Sequence, residues 1–372
     1  MKKIIFTITA LVACNTLFSQ GYVFTTVDSI PITSIKDQNQ SGTCWSFSTI
    51  GMFESELIRM GKGEFNLSEM FVVHKTMEDR AQASVRLHGD VSFSSGGSFY
   101  DMLYCYKNYG MVPEDVMPGI MYGAKKHDHN ELSAVSEAYV GAIAKGNLKK
   151  ISNVWQNGLS AIYDTYLGKC PETFTYSGKE YTPKSFTKYL GINPDDYISL
   201  TSFTHHPFYE QFSVEVQDNW RQALSYNLPL EEFMAVIKNS VKSGYTVAWG
   251  ADVSETGFSR EAKKGIAVVP TDTMDIKKAL SEPCPEKEIT QELRQDGFDD
   301  WSTTDDHGML IFGITRDQNG KEYYMVKNSW DYDSGRNGIW YVSEAFVAYK
   351  TINIVVNRNA IPKDILKKMN IK

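Results

Sequence analysis

Near residue 241 the sequence changes its period, and that change constrains the fold more than any single motif. Before it, apolar residues recur at helical spacing. Phe47, Ile50, Phe53 and Leu57 share one face of a run that starts at Cys44, and Gly61 and Gly63 offer its stop. "NLSEMFVVHKTMEDRA" (66–81) reads as a second helix capped by Ser68, and "SFYDMLYCYKNYG" (98–110) as a third, ended by Gly110 and Pro113. From about 112 to 240 the pattern is mixed and mostly helical, punctuated by Pro171, Pro183, Pro194 and Pro207. After 241 come short β-branched and aromatic runs bounded by turn residues: 244–254, 308–317, 322–330, 338–343 and 350–358. Helices first and strands last predict an α+β fold of two packed lobes with a cleft between them.

Of the 372 residues 42% are hydrophobic, ample for a core, and no repeat or low-complexity tract is visible. The formal charge is −7, and removing Lys2 and Lys3 with residues 1–19 deepens it by two. An acidic chain without a long basic run is not expected to bind nucleic acid or an anionic membrane. Lys2 and Lys3 followed by "IIFTITALVA" (4–13) read as a signal peptide, with cleavage after Ser19. Export to the periplasm or the medium is therefore expected. The alternative is a lipoprotein anchored at Cys14, because "LVAC" (11–14) fits a lipidation pattern. No other apolar stretch is long enough to span a membrane. Cys44, Cys105, Cys170 and Cys284 form no Cys-x-x-Cys pair, which argues against a zinc ribbon or a thioredoxin-type motif. The last three are expected to be small buried hydrophobes.

Cys44 differs because of its surroundings. In "DQNQSGTCWSFSTI" (37–50), Gly42 and Thr43 turn the chain, so that Cys44 stands in the first turn of the predicted helix. A helix N-terminus favours a thiolate, and Gln38 lies close enough in sequence to supply a side-chain donor to an oxyanion beside the Cys44 N–H. A base is available: "TTDDHGMLIFGI" (303–314) sets His307 just before an apolar strand. One strand later "VKNSW" (326–330) offers Asn328 to fix the imidazole's tautomer, and then Trp330. Cysteine, histidine and asparagine in this order form a nucleophile, a base and an orienting group.

"QNQSGTCWSFS", "DHGM" and "NSW" resemble the three signature segments of papain-like cysteine peptidases. The local signature of that family is Cys-Gly-Ser/Ala-Cys-Trp/Tyr, and here Ser41 replaces the first cysteine and Thr43 the small residue. The interval from residue 44 to 307 also exceeds the roughly 130–150 residues of ordinary papains, so a large insertion is implied. With 94–116, 247–254 and 328–346, the chain is similar to the bleomycin hydrolase (aminopeptidase C) branch over about residues 30 to 362. That resemblance implies a papain-like two-lobed α+β fold. A helical lobe with the nucleophile spans about 30–111, a mostly helical insertion 112–240, a β-barrel-like lobe 241–358 and a C-terminal tail 359–372.

The resemblance implies Cys44 as nucleophile, His307 as general base and then acid, Asn328 as orienter and Gln38 as oxyanion donor. It implies substrate binding at Gly96, Gly97 and Trp330. The glycine pair would present backbone groups to a peptide, and Trp330 would shield the His–Asn bond. Asp331 stands where the family usually has glycine. Peptides are the expected partners, no cofactor or metal is expected, and a homo-oligomer is compatible with the resemblance without being required by it. Relatives place their C-terminal tail in the cleft as an arm that closes one end, and "NRNAIPKDILKKMNIK" (357–372) is the matching stretch. The expected function is a cysteine peptidase of aminopeptidase type. Its alternatives are an endopeptidase of the same fold and a non-catalytic peptide-binding protein. His127 with His129 and His205 with His206 are expected to be solvated loop histidines rather than metal ligands.

Overall fold

The computed structural model describes residues 21–371, so the expected export signal and Cys14 lie outside the described residues. The chain opens on β1 (Phe24–Ser29) and then builds the helical lobe from α1 (Cys44–Arg59), α2 (Glu69–Arg86) and α3 (Phe99–Asn108). Each has a sequence reason to start where it does. Gly42 adopts φ +63° just before α1. The Ser68 hydroxyl accepts the Phe71 N–H at 3.0 Å to cap α2. Asp101 accepts the Ser98 N–H at 2.8 Å to close the first turn of α3. Phe53, Phe71, Met102 and Tyr106 pack between these helices. α4 (Asn130–Ala144) and α5 (Val154–Leu167) add to this core through Leu132, Val140 and Leu159.

The insertion is less helical than its sequence pattern predicts. After α5 come a hairpin, β2 (Phe174–Tyr176) with β3 (Lys179–Tyr181), and α6 (Pro183–Leu190). The strands β4 (Tyr197–Thr201), β5 (Gln211–Ser213) and β6 (Leu224–Asn227) precede α7 (Leu230–Lys242). Strands of three to five residues are too short for a two-residue period to stand out from a helical one. The last three return to the second lobe and pair into its sheet.

That lobe adds β7 (Val247–Ala251), β8 (Ile266–Ala267), α8 (Ile276–Ala279), α9 (Gln291–Asp299), β9 (His307–Asp317), β10 (Glu322–Lys327), β11 (Ile339–Ser343), α10 (Glu344–Lys350), β12 (Thr351–Asn357) and α11 (Lys363–Lys368). The strands form one mixed sheet in the order β5-β6-β4-β12-β7-β9-β10-β11-β8, with β1 also paired to β9. Among the described residues its two ends do not pair with each other, so the β-barrel-like lobe expected takes the form of a long mixed sheet rather than a closed barrel. β6–β4 and β11–β8 are parallel, and the other ladders are antiparallel. β9 lies between β7 and β10 and is buried along nearly its whole length, which explains its continuous apolar run.

The lobes meet where α1 and α3 end on β7 and β9. Gly250 and Gly308 are cross-strand partners. A Cβ on Gly308 would come within 2.9 Å of the Ser48 hydroxyl and 3.4 Å of the Cys44 carbonyl carbon, and one on Gly250 within 3.4 Å of the Phe99 ring. Two side chains of hydrogen at this crossing let the helix N-terminus carrying Cys44 lie against the strand end carrying His307.

Candidate active site

Cys44 is the first residue of α1 and stays partly solvent-exposed on the floor of a cleft of about 460 Å³. Trp45, Gly97, Ser98, His307 and Gly308 line the same cleft. Burial pushes the thiol up to about 12, opposed by hydrogen bonds from the Gly308 and Trp45 backbone N–H groups. The helix N-terminus is therefore present as the sequence predicts, but desolvation outweighs it. The same desolvation holds the His307 imidazole down near about 4. Either charge alone is disfavoured on this floor. A proton passed from thiol to imidazole creates both at once, and their mutual attraction offsets part of the desolvation cost.

His307, 5% exposed, meets the Asn328 side-chain oxygen through Nε2 at 2.7 Å, which leaves Nδ1 for the thiol. The Asn328 oxygen also accepts the Ser329 N–H at 2.7 Å and so is itself held. Trp330 stacks on the imidazole with centroids 4.6 Å apart and planes at 29°. It is wedged in turn against Trp340 and Phe258. Trp330 thus covers the His–Asn pair from inside the second lobe and is not among the residues that line the cleft.

Gln38 is bound twice to the asparagine segment. Its N–H donates to the Ser329 carbonyl at 2.8 Å, and its side-chain oxygen accepts from the Ser329 hydroxyl at 2.6 Å. Pinning the carbonyl end leaves the NH₂ end as the donor this amide can offer. The glycine pair divides. Gly97 lines the cleft and lies on the Trp45 ring, whose Nε1 donates to the Ser95 carbonyl at 3.2 Å. Gly96 is covered by the Asp218 carboxylate, which a Cβ there would overlap at 2.1 Å. Asp331 adopts φ +69°, the backbone shape for which glycine is favoured, and Lys126 holds its carboxylate at 2.7 Å while reaching Asp37 at 2.8 Å.

Several features were not legible in the sequence. The segment from β5 to β6 forms one wall of the cleft through Val214, Val216, Asp218, Asn219 and Arg221. Asp305 and Asp306 add carboxylates beside His307. Asp305 reaches solvent at the rim but is closely ringed by protein, and this desolvation, with the charges of Asp218 and Asp306, raises its carboxyl to about 7. The quoted "TTDDHGM" contained that signal, but nothing in it showed which way the two aspartates face. Behind the site, Lys327 is buried with its ammonium on the Thr33 carbonyl at 3.1 Å and hydroxyl at 3.0 Å, and Thr33 donates to Glu54 at 2.5 Å. Lys36 joins Glu54 and Glu69 in the same network.

The remaining candidates sort out plainly. All four described cysteines are free; Cys105 and Cys284 are buried, and Cys170 is partly exposed. His127 and His129, expected in solvent, are buried at 7% and 3% exposure, because the loop tucks beneath α1 with His127 edge-on to Phe47. Their rings are held near about 4 by desolvation. His205 and His206 both turn their Nε2 atoms onto Glu215, at 3.1 and 2.9 Å. Among the described residues this is the cluster with metal-ligand spacing. The described part of the tail, up to residue 371, lies away from the cleft. Ile365 and Met369 are buried in the second lobe's core, and Lys368 pairs with Glu232 of α7 at 2.6 Å. Among the described residues, none beyond Val355 lines the catalytic cavity.

The comparisons with known proteins agree with this geometry. The family model described as "Peptidase C1-like family" matches residues 10–372. Aminopeptidase G of Lactobacillus delbrueckii subsp. lactis is 23% identical, over 92% of this chain and 84% of its own length. Aminopeptidase C of Lactococcus lactis subsp. cremoris is 22% identical, over 89% and 82%. The solved structure of PepW from Lactobacillus rhamnosis HN001 superposes with a TM-score of 0.72 at 21% identity, covering 93% of this chain and 84% of that one, which shows the shared fold. With a cysteine at the helix start, a histidine at the strand start, an asparagine one strand on and a family model that spans nearly the whole chain, the protein belongs to the peptidase C1-like family.

Proposed function

We propose that the protein is a cysteine aminopeptidase that releases N-terminal residues from peptides and aminoacyl amides. His307 Nδ1 takes the Cys44 proton as the sulfur attacks the substrate carbonyl. The Cys44 N–H and the Gln38 NH₂ hold the oxyanion. The imidazolium then returns the proton to the leaving amine, and water, deprotonated by His307, cleaves the thioester. The observation that carries this reading is the 2.7 Å contact of His307 Nε2 with Asn328 in a cleft that also holds Cys44. The aminopeptidase names of the relatives support exopeptidase rather than endopeptidase action. Coumarin amides of free and N-acetylated amino acids separate the two. The free-amine substrate is expected to be preferred, and preference for the acetylated one would sink the reading. Loss of turnover in Cys44→Ala is expected as well; its retention would exclude the thioester route, and absence of turnover in the wild-type chain would favour a peptide-binding role.

We further propose export, on the strength of Lys2, Lys3 and the apolar run 4–13. Mass spectrometry of the mature N-terminus is expected to find Gln20 first, whereas a lipid-modified Cys14 would identify an anchored protein.

A further inference from the structure

The cleft wall contributed by the insertion holds a carboxylate that the catalytic steps above leave unused. Asp218 lies in the turn between β5 and β6, about one-third exposed, and lines the same cavity as Cys44 and His307. Its carboxylate rests directly on Gly96, next to the Gly97 backbone that forms the cleft surface. Two arginines hold that turn in place. Arg80, with no side-chain exposure, donates to the Gly96 carbonyl at 2.6 Å, to the Ser92 carbonyl at 2.8 Å and to the Ser92 hydroxyl at 3.1 Å, and it reaches Asp218 only at 3.5 Å. Arg221 clamps the far side of the turn to Asp79 at 2.5 Å and Asp101 at 2.7 Å, with its guanidinium stacked on Tyr104 and Trp220.

Arg80 therefore orients Asp218 while directing its shorter bonds elsewhere. The two cations that line the cavity, Lys107 and Arg221, are engaged with Asp195 and with the Asp79–Asp101 pair. Asp305 and Asp306 line the same cavity, and Asp218 lies near enough to Cys44 for its charge to act on the thiol. A rigidly mounted carboxylate beside Gly96 in the cavity that holds Cys44 suits a cationic chain end. It also stands over the glycine backbone along which a longer peptide would continue.

We propose that Asp218 is the subsite for the substrate's α-ammonium group, so that the cleft selects peptides and aminoacyl amides with a free N-terminus. The inference deepens the aminopeptidase reading and rests on it. The test compares kcat/KM for a free aminoacyl coumarin amide and its N-acetyl form in the wild-type chain, in Asp218→Asn and in Asp218→Glu. The rate of Cys44 alkylation by iodoacetamide serves as a check on the catalytic pair. In Asp218→Asn the free-to-acetylated ratio is expected to fall about 10–100-fold, the size of a lost hydrogen bond between charged groups, with the alkylation rate not lowered. An unchanged ratio, or an equal loss on both substrates with alkylation intact, overturns the assignment while leaving the aminopeptidase reading standing. A wild-type chain with no preference for the free amine overturns that reading instead, and the assignment with it. Asp218→Glu keeps the charge beside Arg80 and carries the test if the amide variant fails to fold. Moving the carboxylate by one methylene is expected to lower the ratio, and an undiminished ratio counts against the proposal.

Discussion

His307 and Cys44 show why single groups cannot be read apart from their pair. Burial drives the thiol up to about 12 and the imidazole down to about 4, so each side chain alone rests neutral at pH 7. In His307→Ala the thiolate loses its counter-charge. Alkylation of Cys44 at neutral pH is expected to become much slower and to recover only in strongly alkaline solution. Peptidase turnover in this variant is expected to drop by about 10²–10⁴-fold, the usual contribution of a positioned base. Asn328→Ala is expected to cost less, because Trp330 still packs on the ring and only the tautomer and tilt are freed. Equal losses in the two variants would contradict that division. His127 offers a stability test with a definite sign. Its ring is buried and held near about 4, so between about pH 6.5 and 4 the unfolded chain binds a proton that the folded chain refuses. Stability from this residue is lost as pH falls through that window. Relative to the wild type, His127→Phe is expected to gain up to about 1.4 kcal/mol per pH unit there, as read from urea unfolding at pH 7 and 5.

At the scale of elements, the C-terminal helix α11 departs from the arm that the resemblance brings to mind. Relatives hold the matching stretch in the cleft as an arm, whereas here Ile365 and Met369 anchor it in the second lobe's core. Deleting 363–372 is expected to lower the urea midpoint, because buried apolar surface and the Lys368–Glu232 pair are lost. The free-amine preference is expected to survive. A change in selectivity without loss of stability would mean that the tail reaches the site after all. The helix that starts at Cys44, by contrast, was legible from sequence. Gly42, Thr43 and the apolar spacing after Cys44 are local signals, and local signals fix where a helix begins.

At the scale of the whole molecule, Arg221 ties the inserted wall to the helical lobe, with Asp101 fully buried and the guanidinium 12% exposed. Breaking one partner of a buried pair is costly, so Arg221→Met is expected to destabilise the protein by about 3–5 kcal/mol. It is also expected to blur selection of free amines, because the turn carrying Asp218 loses its clamp. Stability within about 1 kcal/mol of wild type would show the clamp to be dispensable. The α+β class was readable in advance, as was the grouping of Cys44, His307 and Asn328 that the fold brings together, because period, capping and motif order are properties of neighbouring residues. What only the tertiary structure decided concerns residues distant along the chain. The insertion's strands join the second lobe's sheet, Lys36 meets Glu54 and Glu69 and Lys327 meets Thr33 behind the site, and Asp218 lies over Gly96. No local pattern encodes such meetings, since a short strand's partner and a carboxylate's direction are set by the packing of the elements that carry them.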